Sequence, residues 1–181
     1  MIKQSKRILI VGSPGSGKTT FSVHLGKALQ IPVFHLDDYY WLEGWQRVDP
    51  NQWKLILQQL CSKPSWIIDG NHLNTLEQRL PYADLVILLN CSVFICFWRF
   101  CKRSIKRFFN KDGHLPRNIK ESELYKPKIS IQWHIIKLIL FYKLLTKPKI
   151  MKLIQKHSLT ILILPTHIGF QKTINKIADN T

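Results

Sequence analysis

Acidic residues are scarce in this chain: 11 Asp and Glu face 27 Lys and Arg among 181 residues, a formal net charge of +16. The shortage is concentrated late. Residues 1–90 carry 9 basic and 7 acidic side chains, whereas residues 91–181 carry 18 and 4. So basic a half has to meet something anionic: a triphosphate or phosphorylated acceptor, a nucleic acid or an anionic membrane surface. For scattered lysines such as Lys143, Lys147, Lys149, Lys152 and Lys156, a solvated face that aids solubility is the simpler role. Paired cysteine motifs are missing as well. Cys61, Cys91, Cys96 and Cys101 have no C-x-x-C spacing, which excludes the common zinc and redox arrangements and leaves reduced, mostly buried thiols as the expectation. Long apolar runs are also lacking. Residues 129–145 come nearest, but Gln132, His134, Lys137 and Lys143 interrupt a stretch already short for a bilayer, so a core helix is expected and surface attachment is the lesser alternative. The basic residues 1–7 are followed by only four apolar residues, too few for a cleavable leader, so a cytoplasmic location is expected. Repeats and low-complexity segments are absent, and residues 1–181 read as a single domain. There is no helix-turn-helix, zinc-finger or aromatic RNA-binding signature. The guanine-reading N-K-x-D pattern fails by one position, because Asn110-Lys111 is followed by Asp112-Gly113.

What is present is concentrated near the start. Gly12-Ser13-Pro14-Gly15-Ser16-Gly17-Lys18-Thr19 completes the pattern G-x-x-x-x-G-K-[ST], and Thr20 follows it. Ile8-Leu9-Ile10-Val11 precedes it as a buried-strand run, and residues 18–29 follow as a helix with Leu25, Ala28 and Leu29 on one face. In that setting the loop's backbone amides turn inward around phosphate oxygens, Lys18 reaches the terminal phosphates, and the Thr19 hydroxyl is free to ligate magnesium. The expected ligand is a nucleoside triphosphate with Mg2+.

Five short apolar runs read as strands: residues 7–11, 32–36, 65–68, 85–89 and 160–164. Their continuous hydrophobicity suits strands covered on both faces. Helices are expected over residues 18–29, from Asp49-Pro50 onward with Trp53, Ile56, Leu57 and Leu60 inward, and over residues 92–109, 129–145, 148–157 and 168–178. Alternating strands and helices give an α/β fold with a parallel sheet, whose ligands gather beyond the carboxyl ends of the strands. Those ends carry the phosphate loop, Asp37-Asp38, Asp69-Gly70-Asn71, Asn90 and Pro165-Thr166-His167. An acidic residue beside Thr19 is needed to hold the waters of a magnesium ion, and Asp69 is the candidate. Asp37, or its neighbour Asp38, is placed to orient an acceptor hydroxyl and take its proton.

Two further clusters stand out. The segment Tyr39-Tyr40-Trp41-Leu42-Glu43-Gly44-Trp45-Gln46-Arg47 is either a flat wall for a stacked ring, with Arg47 for a phosphate, or a set of rings closing the core beneath a long connection. Arg99, Arg103, Lys106 and Arg107 fall on one helical flank. A guanidinium close to a moving phosphoryl group stabilises its developing charge, so residues 99–128 read as a closing lid, with the polar, turn-rich residues 110–128 as its mobile part. A nucleic-acid groove or a solvent face has the same periodicity.

On these residues the sequence resembles the adenylate-kinase-related group of small P-loop kinases, and within it bacterial DNA topology modulation proteins. The likeness rests on the phosphate loop through Thr20, on Pro32-Val33-Phe34-His35-Leu36-Asp37 with Trp41 and Gly44-Trp45 behind it, and on Trp66-Ile67-Ile68-Asp69-Gly70-Asn71. Arg79 ahead of Ala83-Asp84, and Trp98-Arg99 with Arg103, extend it, while residues beyond 128 match only loosely. The resemblance implies a P-loop NTPase fold of the nucleoside/nucleotide-kinase type: a five-stranded parallel sheet in the order 2-3-1-4-5, flanking helices and a helical lid. It also implies ATP on the first loop and lid arginines at Arg99 and Arg103. The expected activity is a Mg-dependent transfer of the γ-phosphate to a small hydroxylated or phosphorylated acceptor, such as a nucleoside or nucleotide. The alternative is an ATP-gated regulator that binds nucleic acid through the basic second half. Lys106 stands where that group is richer in Arg, and Lys lacks the bidentate fork.

Overall fold

A computed structural model describes residues 5–109, 116 and 129–165 of the chain. The expected helix at residues 168–178, the lid segment 110–128 apart from Pro116, and Thr166 and His167 lie outside the described residues.

The chain runs β1 (Arg7–Gly12), α1 (Lys18–Leu29), β2 (Val33–His35), α2 (Leu36–Tyr40), β3 (Trp41–Leu42), β4 (Gln46–Arg47), α3 (Pro50–Cys61) and β5 (Trp66–Asp69). It continues through α4 (Leu73–Arg79), β6 (Leu85–Asn90), α5 (Val93–Phe109), α6 (Ile129–Leu140), α7 (Lys147–Lys156) and β7 (Ile161–Pro165). The main sheet has five strands in the order β2-β5-β1-β6-β7, all parallel, and β3 and β4 form a separate antiparallel hairpin. Counted as the five expected strands, that order is 2-3-1-4-5, so the expected α/β architecture is confirmed.

Period-two alternation divides the core between the two faces of the sheet. From β1, Leu9 and Val11 enter one cluster with Trp53, Leu57, Trp66, Leu76, Val86 and Ile150, beneath α3, α4 and α7. Ile8 and Ile10 enter the other with Phe21, Leu25, Ile67 and Ile87, beneath α1. With both faces covered, the strands need no polar alternation, which is why they appear in the sequence as unbroken apolar runs. A third, smaller cluster of Cys91, Cys96, Phe100 and Ile139 joins α5 to α6. All four cysteines are free, and three are buried.

Three local features depart from the expected pattern. The second strand stops at His35, where its partner β5 ends at Asp69; Leu36 turns into the core and opens α2, bringing Asp37 and Asp38 into a helical first turn. The apolar stretch at residues 129–145 is not one α-helix. α6 ends at Leu140, and a π-turn over Tyr142–Thr146 passes directly into α7, burying both Tyr142 and Thr146. The seven-residue α4 and the β3–β4 hairpin were not expected; both are too short to carry a periodic signal.

Candidate active site

The carboxyl ends of β1, β2 and β5 meet around the glycine-rich loop. Gly12 ends β1, and its backbone is held on both sides by one side chain: the Gly12 N–H donates to Asn71 Oδ1 at 3.0 Å and Asn71 Nδ2 donates to the Gly12 carbonyl at 2.8 Å. Asn71 thereby continues the sheet's hydrogen bonding one step beyond β5. The loop then turns through Gly15 and Gly17, with φ of 78° and 92°, values that L side chains rarely adopt. Gly15 has a second constraint. A Cβ there would lie 2.4 Å from the Cys96 carbonyl oxygen, so the backbone of α5 sits directly on the loop.

Ser13 and Ser16 are buried, Pro14 is half-buried, and Thr20 is exposed in the first turn of α1. The Ser16 hydroxyl has no hydrogen-bond partner. Lys18 Nζ donates to the carbonyls of Gly12 and Ser13, each at 3.0 Å. Burial lowers the pKa of its ammonium and Arg103 acts in the same direction, against the opposing pull of Asp69 and Asp37. Thr19 Oγ1 donates to Asp69 Oδ2 at 2.9 Å. Asp69 is buried at the tip of β5; its Oδ2 also meets His35 Nδ1 at 3.0 Å, while its Oδ1 has no partner. Burial works against a charged His35, but the Asp69 hydrogen bond and charge outweigh it and raise the imidazole's pKa.

Asp37 reaches the same place from α2. Its Oδ1 meets His72 Nε2 at 3.1 Å, and 67% of its side-chain surface is open to the cleft. Desolvation would raise its pKa, yet the His72 hydrogen bond and the nearby charges of His72, Lys18 and Arg103 bring it below the ordinary value. Asp38 lies beside it in α2 and is half-buried. From α5, Arg99 Nη1 approaches the Ser16 carbonyl at 3.4 Å. Arg103 is desolvated, which lowers its pKa against the pull of Asp37, and its Nε has no partner. The structure therefore brings Lys18, Thr19, Asp37, Asp69, Arg99 and Arg103 around one loop. Lys106 is exposed.

Two residues given no role by the sequence hold this assembly. Arg79 is fully buried and has no carboxylate partner among the described residues; it donates to the carbonyls of Gly70 at 3.1 Å, Asn71, His72 at 3.3 Å and Thr75 at 3.4 Å. These bonds shape the β5–α4 loop that presents Asp69, Asn71 and His72. Burial takes its pKa down to about 10. His72 has a φ of 34°, and its ring sits 4.6 Å from Tyr40 and 5.2 Å from Trp53, centroid to centroid. Neither role has a sequence signal: an isolated Arg in a polar stretch and a His after Gly-Asn do not announce burial or a left-handed backbone.

The aromatic segment mainly packs on itself. Tyr40 meets Trp53 at 5.1 Å and Trp41 at 5.2 Å, Trp41 meets Trp45 at 5.6 Å, and Arg47 lies 6.0 Å over the Trp41 ring. Trp45 and Trp53 are buried. These rings close the core beneath the connection and brace His72 toward Asp37.

Among the described residues no group of three or more His, Cys, Asp or Glu could enclose a metal ion. A hydroxyl, one carboxylate and an unpaired carboxylate oxygen are instead the donor set of an ion that keeps most of its waters and takes its remaining ligands from a phosphate. Thr19 and Asp69, whose Oδ1 has no partner among the described residues, fit magnesium in that sense.

Comparison with known proteins places the fold. No family model matches the chain. An uncharacterised Bacillus subtilis protein, YqaC, is 31% identical over 108 residues, spanning 59% of this chain and 61% of its own length. A shikimate kinase from Acinetobacter baumannii, solved in complex with shikimate, superposes with a TM-score of 0.56 at 16% identity, covering 99% of this chain and 97% of that one. A gluconokinase from Sinorhizobium meliloti gives 0.53 at 12% identity, covering 96% and 89%. A sugar kinase from Janibacter sp. gives 0.51 at 12%, covering 95% and 91%. The chain thus has the fold of small-molecule P-loop kinases.

Proposed function

We propose that this protein is an ATP-dependent phosphotransferase acting on a small hydroxylated or phosphorylated acceptor. The observation that carries the reading is the convergence of Lys18, Thr19–Asp69, Asp37 and Arg103 on one loop at the carboxyl edge of the sheet. In this reading residues 12–20 cradle the triphosphate, with Lys18 leaving the carbonyls of Gly12 and Ser13 for the terminal phosphates. Thr19 and Asp69 would hold a magnesium ion and its waters, supplying neutralisation of the phosphate charge there. Asp37, kept anionic by its neighbours, orients the acceptor hydroxyl and takes its proton as the acceptor oxygen bonds to the γ-phosphorus and ADP leaves. Arg99 and Arg103 stabilise the transferring group from α5, the first part of a lid over residues 99–128.

The fold neighbours named for shikimate, gluconate and sugar favour a polyhydroxylated acceptor, and the aromatic braces leave a nucleoside or nucleotide among the compounds to be tried. By its motifs the chain also resembles the bacterial DNA topology modulation proteins. Isothermal titration with ATP and Mg2+ tests the first step: Lys18→Ala should lose nucleotide affinity by tenfold or more, on the order expected for removing a charged contact. Equal affinity in both proteins would end the proposal. A γ-phosphate transfer screen across hydroxy acids, sugars, nucleosides and nucleotides, with Asp37→Asn as the inactive control, then identifies the acceptor class.

A further inference from the structure

The described residues expose thirteen large apolar side chains, and nine of them lie in α5 or in residues 129–145. On α5, Cys96 and Phe100 face inward and Arg99 faces the loop, while Phe94, Trp98 and Ile105, at steps of four and seven, share the opposite flank; Phe94 is 86% exposed and Trp98 70%. On α6, Ile135, Ile136 and Ile139 pack toward α5, whereas Trp133, Leu140 and, within the π-turn, Leu144 are exposed. α5 and residues 129–145 also contain seven Lys and Arg and no Asp or Glu, and Lys102, Lys106, Lys137 and Lys143 are exposed. Ordinary surface helices mix both signs of charge and keep rings and branched aliphatics inward; these do neither.

The combination narrows the occupant. A second copy would set one strongly basic half against another. A nucleic acid would answer the cations and stack on Trp, but it offers nothing to Ile105, Leu140 and Leu144. An anionic bilayer answers both, because its acyl boundary takes aliphatic and aromatic side chains while its headgroups take lysines. We infer that α5 and residues 129–145 form a peripheral docking face for an anionic lipid surface. No helix among the described residues is long and apolar enough to cross a membrane, so the attachment lies in the interface plane. The inference is independent of the phosphotransfer reading.

The test is co-sedimentation of the whole protein with vesicles of phosphatidylcholine alone and with about a quarter phosphatidylserine, at low and high salt. Pelleting is expected with the anionic vesicles, weakly or not at all with the neutral ones, with a blue shift of tryptophan emission and a fall of about tenfold or more in high salt. Trp98→Ser with Ile105→Ser, and separately Trp133→Ser with Leu144→Ser, should each weaken binding about tenfold with the far-UV spectrum unchanged. Lys137→Gln with Lys143→Gln leaves the apolar side chains intact and should weaken it similarly. Equal pelleting on both vesicle types, or on neither, overturns the inference, as does full binding by both apolar variants. A dimer dissolved by the same substitutions would assign the face to a second copy. Salt-sensitive oligonucleotide binding lost with them would assign it to nucleic acid.

Discussion

Replacing Arg79 by Met keeps much of the side-chain volume and removes the guanidinium donors from the β5–α4 loop. The carbonyls of Gly70 and Asn71 then lose the Arg79 bond, while that of His72 keeps the Thr75 N–H and hydroxyl. A buried acceptor without a donor costs about 1–3 kcal/mol, and water admitted to the loop recovers part of it, so two such groups suggest about 2–4 kcal/mol. An opposing contribution must be subtracted. Arg79 is a buried cation with no carboxylate partner among the described residues, and its pKa of about 10 reflects a desolvation cost that Met does not have. That cost is whole at neutral pH, because a base whose folded pKa lies below its unfolded value is relieved only as pH rises past the folded pKa. The net loss is then about 1–3 kcal/mol, a sizeable share of the roughly 5–15 kcal/mol that holds a domain of this size together. Arg79→Lys keeps the charge but cannot span the same carbonyls and should recover only part of the loss. Urea unfolding with an unchanged m-value measures the difference. Because Asn71 grips Gly12, nucleotide affinity should fall as well, at a temperature where the variant is still folded. A Met variant within about 0.5 kcal/mol of the parent would refute the reasoning.

Gly15→Ala should abolish nucleotide binding and lower the melting temperature, since a Cβ there meets the Cys96 carbonyl oxygen at 2.4 Å from a left-handed backbone; a variant that binds ATP normally would show that α5 does not seat on the loop. Asp69→Asn should raise the Mg2+ concentration needed for half-maximal nucleotide binding by about tenfold or more, read by titration at fixed ATP. Burial raises the Asp84 pKa, but the Arg7 side chain and the backbone N–H groups of Arg7 and Lys6 prevail and hold its carboxyl below the ordinary range. A depressed folded pKa supplies stability above the unfolded value of about 3.9 and loses it as pH falls through the folded one, so Asp84→Asn should cost about 1 kcal/mol at neutral pH and flatten the acid side of the stability profile. His72→Phe keeps the ring packing and removes the bond to Asp37. The predicted outcome is an acid limb of the rate profile moved to higher pH and a turnover lower by about threefold to tenfold, the discounted value of one hydrogen bond to a largely exposed carboxylate.

The sheet and its ligand edge were legible because their causes are local. Ile8-Leu9-Ile10-Val11 and Leu85-Val86-Ile87-Leu88-Leu89 are buried on both faces and read as runs, and the glycine pattern fixes a turn whatever surrounds it. Asp69 could be singled out as the acid at the end of such a run, and the strand order followed from resemblance. What stayed hidden depends on long-range placement. Arg79 matters through four carbonyls that its own neighbourhood does not predict, and His72 through a backbone strain held by Arg79, Tyr40 and Trp53. The break after Leu140 escaped detection for the opposite reason: the 3.6-residue pattern continues through Phe141, and only the burial of Tyr142 and Thr146 forces the wider turn.

α5 is the element on which these threads converge. Its inner flank lays the Cys96 backbone against Gly15 and brings Arg99 and Arg103 to the loop, while its outer flank carries Phe94, Trp98 and Ile105. A rigid helix cannot shift one flank without the other, so an occupant of the outer stripe that displaced α5 would change the distance between the arginines and the phosphate cradle. The coupling works in both directions: if bilayer contact favours the position of α5 that nucleotide also favours, each ligand must tighten the other by the same factor. Vesicle affinity measured with and without ATP and Mg2+ reads that factor directly. A ratio of one would mean that α5 holds a single position whether or not either surface is occupied, and the two flanks would then be neighbours without communication.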